Sequence, residues 1–109
     1  MTVRDFAALD AVDTLVCPQP ERVIRGAYIG DLLSWVMGRA KADDAWLTIM
    51  SNINIAAVAA LTDTACIVLC EGVTPDDAVL QAASAKEINI LRSRLPAYET
   101  AILLQEQGI

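Results

Sequence analysis

A chain of 109 residues is long enough for one domain with a single core, and too short to divide into two. Its net charge of −6, with no run of Lys or Arg, argues against nucleic acid and against an anionic membrane surface. Apolar residues make up 55% but aromatics only 5%, an excess of Ala, Val, Ile and Leu that suits helices packed closely on a doubly covered sheet.

In chain order, Thr2 caps a short first helix that runs through about Leu9, with Phe6 and Leu9 turned inward. A short strand is predicted at Thr14–Cys17, closed by Pro18-Gln19-Pro20, which cannot continue a sheet interior. Arg22–Ile29 reads as a second strand around Gly26. Gly30-Asp31 then opens a helix to about Ala40, with Asp31 at the positive end of its dipole. Leu32, Leu33, Val36, Met37 and Ala40 form the inward stripe of that helix.

From there a strand–helix pair recurs three times. Trp46–Met50 precedes a helix from Asn54 to Leu61, and Ala65–Cys70 precedes one from Pro75 to about Glu87. Ile88–Leu91 precedes the last, from Pro96 to about Gln107, which Gly108 ends. Strands alternating with helices at this spacing predict a largely parallel sheet in one three-layer α/β/α domain over residues 1–109. Thr74 before Pro75 and Asn54 before the Ala-rich run are the expected N-caps. The segment IAAVAAL is apolar on every side, so it should be buried between the sheet and another body.

The inventory of reactive groups is short. There is no His, no phosphate-cradling glycine motif and no nucleophile elbow, which removes the usual acid–base, P-loop and serine-hydrolase chemistries. No metal site and no cofactor is expected. The three cysteines, Cys17, Cys66 and Cys70, lack zinc spacing and read as reduced core residues; Cys66 and Cys70 share one strand face. Asp43-Asp44 and Asp76-Asp77 read as solvated loop charge and first-turn acid. The N-terminal MTVRDFAALD has an early acid and no apolar run, and no window reaches the length of a membrane span. A soluble, cytoplasmic protein is the expectation.

Parallel crossovers gather the strand C-termini along one edge, where small ligands dock in open α/β sheets. The residues carried there are Ser51, Asn52 and Asn54 after one strand, Glu71 and Gly72 after the next, and Arg92 and Ser93 after the third. They offer amides, hydroxyls, one acid and one guanidinium, a set suited to a nucleotide or small anionic metabolite. Turn and cap chemistry accounts for the same residues. A second candidate surface is an interface. Trp35 falls roughly 130° from the inward stripe of its helix, and Tyr98, Ile102 and Leu103 spread apolar surface around the last one. These predict a homo-oligomer, a dimer in the simplest case, or a protein partner.

The string GAYIGDLLSWVMGRAKADDAWLTIMSNINIAAVAAL resembles the stand-alone DRTGG-domain proteins, related to the N-terminal domain of HPr kinase/phosphorylase. The matching positions are Tyr28, Gly30, Asp31, Leu32, Leu33, Ser34, Val36 and Met37, then Trp46, Thr48 and Ile49. They continue with Asn54, Ile55, Ala57, Val58 and Ala59, and with Glu71-Gly72 before Pro75-Asp76. The resemblance implies an α/β/α domain that regulates or dimerises, as do similar domains in phosphotransacetylases and between the CBS domains of some pyrophosphatases. The literal DRTGG string is absent, as is a kinase domain, so no catalytic residue carries over. The expected function is therefore a non-catalytic regulatory or dimerisation domain that works by protein contacts and senses a small metabolite. The alternative is a nucleotide- or phosphate-binding sensor using the strand C-terminal edge, and a small enzyme comes third.

Overall fold

The apolar runs in the middle of the sequence form the centre of a five-stranded sheet. The computed structural model describes all 109 residues. In chain order its elements are α1 (Val3–Ala7), β1 (Val12–Val16), β2 (Gly26–Ile29), α2 (Leu33–Arg39) and β3 (Asp44–Thr48). Then come α3 (Ile55–Thr62), β4 (Cys66–Leu69), α4 (Asp77–Ala85), β5 (Ile90–Ser93) and α5 (Ala97–Glu106). The sheet order is β1-β5-β4-β3-β2; β2 through β5 are parallel, and β1 alone runs antiparallel, against β5.

Each crossover steps to the adjacent strand in the same direction, so α2, α3 and α4 share one face. Side-chain alternation divides the core accordingly. Trp46, Ile67, Leu69 and Ile90 point to the crossover helices and meet Val36, Ile55, Val58 and Val79. Ala45, Leu47, Cys66, Val68 and Leu91 point the other way and meet Val3, Phe6 and Leu104 of α1 and α5. Every residue of β3 and β4 is buried, as parallel strands covered on both faces require. The predicted three-layer α/β/α domain with a largely parallel sheet is the observed one.

Several boundaries differ from the sequence reading. β1 begins at Val12, ends before Cys17 and carries a bulge between Thr14 and Val16. The predicted strand from Arg22 shrinks to Gly26–Ile29, with only an isolated Thr2–Val23 bridge ahead of it. The reason is a strap: residues 17–25 cross the N-terminal end of the parallel strands from one sheet edge to the other. Asn89, ahead of β5, holds the strap through the backbone of Gln19 and also donates to the Ala65 carbonyl. Arg22 reaches both Asp43 and Asp63, at 2.9 and 3.0 Å. Those two aspartates adopt left-handed backbone angles, φ 69° and 58°, a conformation Asp tolerates better than most residues. Partial burial works against the Arg22 charge, but the Asp43 and Asp63 carboxylates outweigh it and raise its pKa. Asp44, expected in solvent, is 8% exposed and accepts the Lys41 amide.

The caps are also redistributed. Thr2 and Asp5 form the full reciprocal cap of α1, and Asp5 is held below the usual carboxylate range by its hydrogen bonds to Thr2. Asp31, just ahead of α2, has a further role: its Oδ1 accepts the Thr48 hydroxyl at 2.8 Å and the Ile49 amide at 3.0 Å, tying the ends of β2 and β3 together. Asn54 makes no side-chain cap; instead Asn52 accepts the Asn54 amide, closing the turn before α3. Asp76 takes the N-cap position expected of Thr74, whose hydroxyl serves Arg92.

Candidate functional site

The ends of β2, β3, β4 and β5 do form a common edge, joined by the start of antiparallel β1. At its β1–β5 side, Arg92 on β5 donates through Nε and Nη2 to Asp13 on β1, both at 3.2 Å, and through Nη1 to the Thr74 hydroxyl at 2.8 Å. Arg94 adds a 2.7 Å contact to Asp13 and a bond to the Asp10 carbonyl. One carboxylate therefore sits between two guanidinium groups, which closes β1 on β5 and leaves about one positive charge in excess. Next to it, Glu71 and Gly72 both have positive φ, 60° and 67°. Their amides donate to the carbonyls of Leu95 and Ser93, so this turn is sewn to the loop after β5.

The predicted edge residues separate into three groups. Ser51, Asn52 and Asn54 lie together in the loop from β3 to α3, where Asn52 and Asn54 are exposed and Ser51 half-buried. Glu71, Gly72 and Arg92 lie at the ends of β4 and β5, with Glu71 exposed and the other two half-buried. Ser93 does not join either set. It is the last residue of β5, fully buried, and its hydroxyl faces α5, 2.7 Å from that of Thr100. Strand alternation turns it to the face opposite Arg92.

A second surface is apolar. Leu33 and Met37 of α2 face Ala57, Val58 and Leu61 of α3 across a groove of about 440 Å³, with Asn54 at its rim. The outer side of α3 is open here, against the expectation that it would be covered all round: Leu61 is 72% exposed. The stripe assigned to α2 is likewise only partly inward. Val36 is its one buried residue, while Leu32 and Met37 are exposed. Trp35 stands outside the core as predicted, 54% exposed, with the Arg39 guanidinium 3.9 Å over its ring. On α5, Tyr98 is exposed, but Ile102 is half-buried and Leu103 packs on the core of its own chain.

A sequence profile of the DRTGG domain matches residues 31–107. The chain belongs to the DRTGG-domain family. The match begins at Asp31, so this DRTGG domain spans α2 to α5 and the sheet from β3 onward, with β1, the strap and β2 ahead of it. Among solved structures it is similar to the CBS and DRTGG domains of the regulatory region of Clostridium perfringens pyrophosphatase, complexed with the activator diadenosine tetraphosphate. The TM-score is 0.65 at 10% identity, covering 94% of this chain and 47% of that one. The chain thus spans about half the length of that protein's structure, and the likeness is one of fold. No curated protein matches the sequence with significance.

The thiols of this chain are not poised as nucleophiles. Burial pushes Cys66 up to about 12 and raises Cys17 and Cys70 as well, which keeps all three protonated at neutral pH. No three His, Cys, Asp or Glu side chains converge to hold a metal ion, and no helix is long and apolar enough to cross a membrane. Sequence reasoning missed Asp31 as a link between strand ends, the pairing of Arg92 with Asp13, and the α2–α3 groove. Only the groove left a signal, the unbroken apolarity of IAAVAAL. The other two join residues 17 and 79 positions apart.

Proposed function

We propose that this DRTGG domain is a non-catalytic regulatory module that works through protein contacts, self-association among them, and responds to a small metabolite. The observation that carries the reading is an imbalance between its two surfaces. At the strand ends Arg92, Asp13 and Thr74 are committed to one another, as are Asp31 and Thr48, whereas Leu32, Trp35, Met37, Leu61 and Ile29 are large, apolar and open to solvent on neighbouring elements. Exposed apolar surface of this kind marks contact sites. Family membership and the regulatory character of the similar pyrophosphatase region support the same reading. Kinship with the N-terminal domain of HPr kinase/phosphorylase and a cytoplasmic setting belong to it too.

A second reading makes the strand C-terminal edge a nucleotide or phosphate sensor, with Ser51, Asn52, Asn54, Glu71, Gly72 and Arg92 as its contacts. It draws support from the diadenosine tetraphosphate complexed with the pyrophosphatase region. Native mass spectrometry of freshly purified protein, followed by thermal shift with diadenosine polyphosphates, mononucleotides and inorganic phosphate, tests both. A thermal response abolished by Asn52→Ala supports the sensor. A response that ignores this substitution removes the Asn52 loop from any site, and a monomer without retained ligand or response removes both readings.

A further inference from the structure

The two edges of the sheet are built differently. The β1 edge has a bulge between Thr14 and Val16, and its Asp13 is clasped by Arg92 and Arg94. Bulges and charges are the usual devices that keep a sheet edge from pairing with another chain. The β2 edge, Gly26-Ala27-Tyr28-Ile29, has neither charge, proline nor bulge, and it pairs only with β3. The Thr2–Val23 bridge covers the chain just ahead of it and stops short of Gly26. Beside this open edge, Ile29 is 52% exposed.

The helix next to that edge repeats the asymmetry. On α2, Leu33 and Met37 turn toward α3, and Val36 turns to the sheet. At about 100° per residue, Leu32, Trp35 and Arg39 fall on the side away from α3, which is the side of the open edge. Leu32 is 60% exposed there. An uncharged edge strand therefore adjoins a helix side that exposes Leu32 and Trp35, with Arg39 over the Trp35 ring.

We infer that a second copy of this chain docks on the β2–α2 side, its β2 antiparallel to the first about a two-fold axis normal to the sheet. A strand edge is self-complementary under that operation, and the two five-stranded sheets become one ten-stranded sheet. The same axis keeps both α2 helices on one face and sets them side by side, head to tail. Trp35 and Leu32 of each then lie at the seam, and the Arg39 end of one helix meets the Asp31 end of the other, opposite charges on opposed dipole ends. A four-residue strand offers few hydrogen bonds, so the tryptophan and leucine supply most of the contact. The inference rests on the self-association reading above and adds which surface carries it.

Sedimentation velocity over a concentration series, with amide hydrogen exchange, tests it on the wild type, Trp35→Glu, Ile29→Lys and the α5 control Tyr98→Glu. All three side chains are exposed, so circular dichroism should report an unchanged fold. The expected result is a dimer that Trp35→Glu and Ile29→Lys each weaken by roughly 30-fold or more, with Tyr98→Glu without effect. Amides of Gly26–Ile29 should exchange slowly in the dimer and faster in both dissociated variants. A dimer indifferent to Trp35→Glu and Ile29→Lys overturns this surface while self-association stands. A chain that stays monomeric across the series overturns both.

Discussion

Asn89 and Gln19, 70 residues apart in sequence, bond each other as two strands would. The Gln19 amide donates to Asn89 Oδ1 at 2.9 Å, and Asn89 Nδ2 donates to the Gln19 carbonyl at 2.7 Å. The same Nδ2 donates to the Ala65 carbonyl at 3.0 Å, and the Asn89 residue is 2% exposed. One side-chain amide thus stands in for a stretch of ladder and fixes the strap to the sheet.

Asn89→Ala should therefore cost roughly 2–4 kcal/mol, because it leaves buried backbone donors and acceptors without partners. Asn89→Asp should be no rescue: it keeps the acceptor, loses both donated bonds and buries a charge. Urea denaturation at fixed protein concentration measures both. Wild-type stability in Asn89→Ala would show that the strap is held elsewhere.

The thiol of Cys66 sets an alkaline limit on stability. Its folded pKa, pushed up to about 12 by burial, lies above the ordinary value of 9.0 expected in the unfolded chain. The neutral thiol's contribution is then whole below pH 9.0 and is lost as pH rises toward about 12. Cys17 and Cys70, also raised by burial, act in the same direction. In reducing buffer the wild type should lose stability through this window by at most about 1.4 kcal/mol per pH unit from Cys66. Cys66→Ala should be less stable at neutral pH but decline with a shallower alkaline slope. Parallel slopes in urea titrations of the two proteins would contradict the assignment.

At Gly30, just past the end of β2, the backbone passes close to a side chain. A Cβ there would lie 2.8 Å from Cε2 of the Tyr28 ring. The backbone at Gly30 is close to Trp46 as well, whose indole N–H donates to its carbonyl at 2.8 Å. Gly30→Ala should cost roughly 1–2 kcal/mol by overpacking. Combined with Tyr28→Ala, it should add little to the cost of Tyr28→Ala alone, since the clash has gone. A double-mutant cycle by chemical denaturation reads the coupling, and strict additivity would place the cost of Gly30→Ala in the backbone instead.

Much of this architecture is present in the order of the residues. Apolar runs such as Ala65–Cys70 are too short for helices and too apolar for a half-exposed sheet, so they specify central strands before any partner is known. Thr2 and Asp5 cap α1 from three residues apart, and Trp35 leaves the core by its angular position alone. All three features depend on spacings within one turn or one strand, and such spacings are visible in a single chain.

The tertiary structure decided whatever joins distant positions. Residues 17–25 became a strap rather than strand because Asn89, Asp43 and Asp63 wait at the far ends of other elements. Ser93 left the edge because β5 runs two residues past its apolar stretch, and alternation then turns its hydroxyl to Thr100. Arg92 found Asp13 only when β1 returned antiparallel. A sequence encodes local periodicity directly, because neighbours share a helix turn or a pleat. It does not encode which polar group far along the chain will meet which, since that depends on the order in which the strands are laid side by side.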